Sequence, residues 1–160
     1  AGSINSTKFG NNSTAKVTAD GTSYYLSSLG TGATALPLFG AVASPPSGGR
    51  SAGGTNRVFI NITGTVYTAN ATDRGFTLYV MRYVGGSWSV LGSVYSSILV
   101  RNANCSGSYG QTFGIQNIDT GVGDNDTVYY ALGVASQNGF SGLANGYTFN
   151  YGITVIDQYK

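Results

Sequence analysis

Between residues 147 and 156 the chain alternates almost without a break: Tyr147, Phe149, Tyr151, Ile153 and Val155 are apolar, while Thr148, Asn150 and Thr154 lie between them. A two-residue period sends successive side chains to opposite faces of a strand, so this segment fits a strand with one face on a core. The period recurs. From 57 to 67, Val58, Ile60, Ile62 and Val66 share the face expected to be buried, opposite Asn61, Thr63 and Thr65 with Phe59 and Tyr67 at the ends. From 76 to 83, Phe76, Leu78 and Val80 alternate with Thr77, Tyr79, Met81 and Tyr83. Gly85-Gly86 then suits a tight hairpin into a returning strand at 87–94, which puts Trp88, Val90 and Val94 on one face and Leu91 on the other. Further strands are expected at 95–101, 112–118 and 127–136, with weaker candidates at 16–19, 23–29 and 36–43. Asn138-Gly139 and Asn145-Gly146 are turn dipeptides that bracket the connection into the last strand.

No segment repeats at 3.6 residues, and 25 glycines would weigh heavily on helices. About eight to ten short strands separated by turn signals predict an all-β fold with no substantial helix, an antiparallel β-sandwich of jelly-roll type. At 160 residues one core suffices, so a single domain is expected over 24–160. Residues 1–23 are rich in Asn, Ser, Thr and Gly with few apolar anchors, and composition makes them a polar N-terminal arm. Residues 44–54, with two prolines and four glycines, read as a loop.

The composition narrows the chemistry. There is no histidine and no glutamate, and the negative charge rests on Asp20, Asp73, Asp119, Asp124, Asp126 and Asp157. Most acid-base and nucleophilic chemistry near neutral pH relies on His, Glu, Asp or Cys, so the expectation is a non-enzymatic protein without a cofactor. Among the side chains only these carboxylates, and the thiol of the single Cys105 if shifted, titrate between about pH 2 and 8, which predicts a fold insensitive to pH over that range. One cysteine forms no disulfide within the chain. Five Arg and three Lys are scattered instead of clustered, which argues against nucleic-acid binding. No apolar stretch approaches the roughly 20 residues that span a bilayer, and no signal-peptide core follows Ala1, so a processed or otherwise exported chain is expected.

Three kinds of candidate site remain. Asp119, Asp124 and Asp126 gather three carboxylates within eight residues, a loop chemistry that suits calcium, although the spacing is not that of an EF-hand. Asp119-Thr120-Gly121 also resembles the tripeptide of aspartic proteases, and with a second Asp it would permit an Asp-dependent hydrolase as a distant alternative. Seven glycosylation acceptor triplets start at Asn5, Asn11, Asn12, Asn61, Asn70, Asn104 and Asn125. Among twelve tyrosines, Tyr130, Tyr147 and Tyr151 fall on expected inward faces, while Tyr67, Tyr79, Tyr83 and Tyr129 fall on the opposite faces and are candidates for interface contacts or sugar stacking.

The stretch Arg57-Val58-Phe59-Ile60-Asn61-Ile62, the hairpin from Gly85-Gly86-Ser87-Trp88 to Gly92, the strand Asp126-Thr127-Val128-Tyr129-Tyr130-Ala131-Leu132 and the terminal strand resemble, in order, the C1q/tumour-necrosis-factor-like jelly-roll heads of viral and phage fibres. That resemblance implies a self-associating attachment module. The polar arm, the acceptor triplets and the low charge are also similar to filament subunits in which one protomer's terminal strand completes its neighbour's sandwich. Both imply a structural subunit of an extracellular assembly, either a virion capsid, spike or fibre or a cell-surface filament. It would bind copies of itself and possess at most a glycan or receptor as a further partner. The rival of a different class is a monomeric secreted carbohydrate-binding module.

Overall fold

The computed structural model describes residues 15–26, 29–45, 50, 56–68, 74–100, 109–137 and 147–158. Eight strands run in the order β1 (Ala15–Leu26), β2 (Thr34–Ala43), β3 (Arg57–Thr68), β4 (Arg74–Val84), β5 (Ser87–Val100), β6 (Tyr109–Asp119), β7 (Val128–Ser136) and β8 (Tyr147–Gln158). Two four-stranded antiparallel sheets result, β1-β8-β3-β6 and β2-β7-β4-β5. The pairs β1 with β8, β2 with β7, β3 with β6 and β4 with β5 nest inside one another, as in one long hairpin with its tip at β4–β5. Rolling that hairpin brings β8 against β3 and β7 against β4. Such a rolled ribbon is the jelly roll, the expected fold.

The alternation of β3, β4 and β8 is realised as expected. Val58, Ile60, Ile62, Val66, Phe76, Leu78, Val80, Phe149 and Val155 have no exposure, and Tyr147, Tyr151 and Ile153 have almost none. Phe76 meets Tyr147 and Phe149 edge to face at 4.8 and 5.5 Å. Across the core the Tyr151 hydroxyl donates to the Leu36 carbonyl, joining β8 to β2. The hairpin tip turns on Gly85 and Gly86 at φ 60° and 90°, a left-handed pair that suits a type I′ turn.

Three expectations change. The segments 16–19 and 23–26 belong to one strand, β1, which crosses Asp20-Gly21 without turning because every residue from Ala15 to Leu26 pairs with β8. Of the rest of the expected 23–29, residues 27–28 lie outside the described residues and Leu29 is not in a strand. The sandwich therefore includes 15–23, which composition assigns to the arm; residues 1–14 lie outside the described residues. Likewise 87–94 and 95–100 join in β5, Arg101 lying outside the described residues. The discontinuity is a bulge: Met81 pairs with Val90 and Tyr79 with Tyr95, so residues 91–94 lie opposite Val80 alone. There Leu91 packs on the core, and its carbonyl accepts from Asn117 Nδ2 at 2.7 Å, tying β5 of one sheet to β6 of the other. The turn dipeptides Asn138-Gly139 and Asn145-Gly146, and Cys105, lie outside the described residues.

Candidate interaction surfaces

At one end of the sandwich the inward-facing positions change from apolar to ionic. Asp157 continues the inward face of β8 beyond Val155, and Asp119 that of β6 beyond Ile115; each is 1% exposed. Arg50, reaching in from the loop before β3, is equally buried. Its Nε donates to both Asp157 oxygens at 3.1 and 3.2 Å, and its Nη2 to Oδ2 at 2.7 Å. Its Nη1 donates to the carbonyls of Gly123 and Asp126 at 2.9 and 2.7 Å, while its backbone N–H donates to the Asp124 carbonyl at 2.7 Å. The guanidinium thus holds the acidic loop between β6 and β7 from inside. Asn56 adds a tether, its Nδ2 donating to the Val122 carbonyl and to Asp124 Oδ1, both at 2.9 Å.

The three loop carboxylates consequently serve different donors. Asp119 accepts from Arg82 Nη1 at 3.0 and 3.2 Å, from the Tyr130 hydroxyl at 3.0 Å and from the Gly121 N–H at 2.9 Å. Asp124 accepts from Asn56, and Asp126 from the Gly123 N–H at 3.0 Å. Among the described residues no three acidic or cysteine side chains converge on a common point. Arg50 was missed in the sequence because nothing local marks one arginine in a Gly/Pro/Ser loop as buried. The available signal was the position of Asp119 and Asp157, carboxylates on inward faces that need a cation.

Burial, with the negative Asp119 carboxylate alongside and accepting a hydrogen bond from its hydroxyl, pushes the Tyr130 phenol far above its ordinary value. Burial, then the nearby Tyr24 and Asp20, raises Tyr151 similarly. An unfolded tyrosine ionises near pH 10. Because both native values lie higher, their contribution is complete below about pH 10 and is lost as pH rises beyond it, by roughly 1.4 kcal/mol per pH unit for each phenol. Titration followed at 295 nm should therefore show at least two of the twelve tyrosines ionising only as the circular dichroism signal collapses. Reversible ionisation of all twelve in the folded protein would contradict this.

The outer faces differ from the ionic end. On β1-β8-β3-β6 the registers define five rows of four residues. The first row is apolar, Val17–Ile156–Phe59–Ile118. The second and fourth carry hydroxyls and amides, Ala19–Thr154–Asn61–Gln116 and Ser23–Asn150–Thr65–Thr112. Between them lies Gly21–Gly152–Thr63–Gly114, and the last row is Tyr25–Thr148–Tyr67–Gly110. No row contains a charge; Arg57 stands just beyond the first. Four of the exposed large apolar side chains occupy this face: Tyr25 at 65%, Val17 at 61%, Ile118 at 50% and Tyr67 at 39%.

On the other sheet Tyr79, Tyr83 and Tyr129 are half-buried on the outer side, as the alternation predicts. Tyr83 packs on Trp88 at 5.2 Å and on Tyr129 at 6.2 Å, so these rings cover one another. Met81, on the same outward face, is only 5% exposed because it lies across Gly133, where a Cβ would come within 2.5 Å of its Cγ. Of the acceptor triplets, Asn61 is half-buried with its Oδ1 accepting from Gln116 Nε2 at 3.0 Å, while Asn125 is exposed in the β6–β7 loop. Asn5, Asn11, Asn12, Asn70 and Asn104 lie outside the described residues.

No family model matches the chain, and no curated protein matches it. Among solved structures it is similar to a chain of Desmodium yellow mottle tymovirus, at 12% identity and TM-score 0.33, over 94% of this chain and 91% of that one. It is also similar to VP2 of infectious bursal disease virus in its subviral particle, at 12% identity and TM-score 0.26, over 90% of this chain but 41% of VP2. A chain of the T13 particle of that virus matches at 9% identity and TM-score 0.24, over 92% and 39%. These weak neighbours are viral β-proteins, and none singles out the C1q/tumour-necrosis-factor-like head. The jelly-roll order follows from the strand pairing alone.

Proposed function

We propose that this chain is a non-enzymatic structural subunit of an extracellular assembly, a virion shell, spike or fibre or a cell-surface filament, and that it associates with copies of itself through strand edges. The observation that carries this reading is β1. Among the described residues it is the outer strand of its sheet, and it runs for 12 residues, about twice the usual strand length. An edge strand leaves alternate N–H and C=O groups without a ladder partner, and folded proteins usually guard such an edge with charges, prolines or brevity. β1 is long, has no proline, and holds Val17, Tyr24 and Tyr25, three of the exposed large apolar side chains, with only Lys16 and Asp20 as charges. Addition of a neighbour's strand would complete its ladder.

The ionic end supports the non-catalytic part of the reading, since Asp119 and Asp157 neutralise Arg82 and Arg50. Asn125, exposed in its loop, is the better-placed glycan acceptor of the two described. Sedimentation velocity of the full chain tests the proposal. The protein should show concentration-dependent species heavier than 16.5 kDa, and Val17→Lys with Ala19→Lys, which puts two cations on the edge, should return it to the monomer at the same concentrations. A wild-type chain that stays monomeric throughout, or a charged variant that assembles equally well, would refute it.

A further inference from the structure

We propose that the outer face of β1-β8-β3-β6 binds a neutral oligosaccharide chain laid across the strands, a role that goes beyond self-association. The first support is the posture of Tyr67. A Cβ at Gly110 would sit 2.7 Å from Cε1 and 3.1 Å from Cδ1 of Tyr67, so the Cδ1–Cε1 edge of the ring closes over the glycine on the neighbouring strand. That edge is held against the sheet, and the residue remains 39% exposed. An exposed ring fixed along one edge is a platform for the apolar C–H face of a pyranose.

The second support is spacing. Tyr25, 65% exposed, occupies the same row on β1, with β8 between it and β3. Two strand intervals separate their backbones by about 10 Å, which suits two aromatic contacts along one chain of sugars crossing the sheet. One row away, about 7 Å along the strands, Ser23, Asn150, Thr65 and Thr112 offer hydroxyl and amide groups able both to donate and to accept. That combination matches sugar hydroxyls.

Charge decides the class of sugar. The two rows that would hold the sugars carry no lysine or arginine, and Arg57 stands at the opposite end of β3, ten residues from Tyr67. A sialylated or uronate chain there would lose water from its carboxylates without gaining a cation, whereas a neutral chain incurs no such cost. A second copy of this protein is the competing occupant. Its fit is poorer, because the apolar residues lie in the first and last rows of the face and the polar ones between them, the reverse of a usual protein interface.

Affinity electrophoresis of the full chain, in native gels containing hydroxyethyl cellulose, galactomannan or polygalacturonate, tests the proposal. At least one neutral polymer should retard the wild type, and polygalacturonate should not. Tyr67→Ala and Tyr25→Ala should each weaken retardation at least tenfold, with Tyr67→Phe near wild type. Thr112→Glu, on an exposed position, should weaken it without touching a ring, and unchanged thermal melting of each variant confirms folding. The proposal is overturned if neither neutral polymer retards the wild type, if only polygalacturonate does, or if folded alanine variants are retarded equally. Loss of self-association in Tyr67→Ala with sugar retardation unchanged would assign the face to a second copy and would also overturn it. Because Tyr67 and Thr112 lie on β3 and β6, away from the β1 edge, failure here leaves the edge-pairing test intact.

Discussion

Arg50→Ala is expected to destabilise the fold by about 3–5 kcal/mol, the usual result of removing one partner from a buried ion pair. For a chain of this size that lowers the melting temperature by about 10 °C. The magnitude follows from what remains: an Asp157 carboxylate with no counter-charge, and the Gly123 and Asp126 carbonyls without their donor. Arg50→Met with Asp157→Leu should recover part of the loss, since an apolar pair costs less than a lone buried charge. Recovery would be incomplete because the loop carbonyls still lack Nη1. Urea unfolding of both singles and the double gives the coupling, expected to exceed about 1 kcal/mol for groups in direct contact. A loss below that value for Arg50→Ala would mean that the guanidinium does not anchor the loop.

Phe149→Ala is expected to cost about 3–5 kcal/mol by a different route, the loss of buried aromatic area plus the cavity left behind. Phe149 has no exposure and contacts Phe76 at 5.5 Å and Phe113 at 6.4 Å, so its removal unpacks residues from both sheets. The near-ultraviolet dichroism should weaken together with the melting temperature. A cost under about 1 kcal/mol would contradict the placement of the core. On the rim of the same molecule, Tyr25→Ala should change stability by no more than about 0.5 kcal/mol, because its ring is largely in water.

The parts of the fold legible in the sequence were those written in the two-residue period. Val58, Ile60 and Ile62 alternate cleanly because each has one neighbour layer to fill, and the faces of β3, β4 and β8 followed from that. β1 was obscured because it is an edge strand whose two faces are both partly wet, so Thr, Ala, Gly and Ser replace the apolar signal and Asp20-Gly21 imitates a turn. β5 was divided because its bulge around Gly92, at φ 65°, interrupts the period without ending the strand. Arg50 left no local trace, since its partners lie 73 to 107 residues away. The outer face of the first sheet was hidden for a related reason. Thr65, Asn150 and Tyr67 read singly as solvent-facing positions, and only the strand order β1-β8-β3-β6 makes them neighbours.

Amide hydrogen exchange along β1, measured on dilute and concentrated protein, tests the assembly reading most directly. Pairing with a second copy predicts that amides of 15–26 on the side away from β8 exchange fast when dilute and become protected as concentration rises, while the β4 and β7 amides stay unchanged. Identical β1 exchange at both concentrations would contradict it, because an edge that acquires no partner joins no subunits.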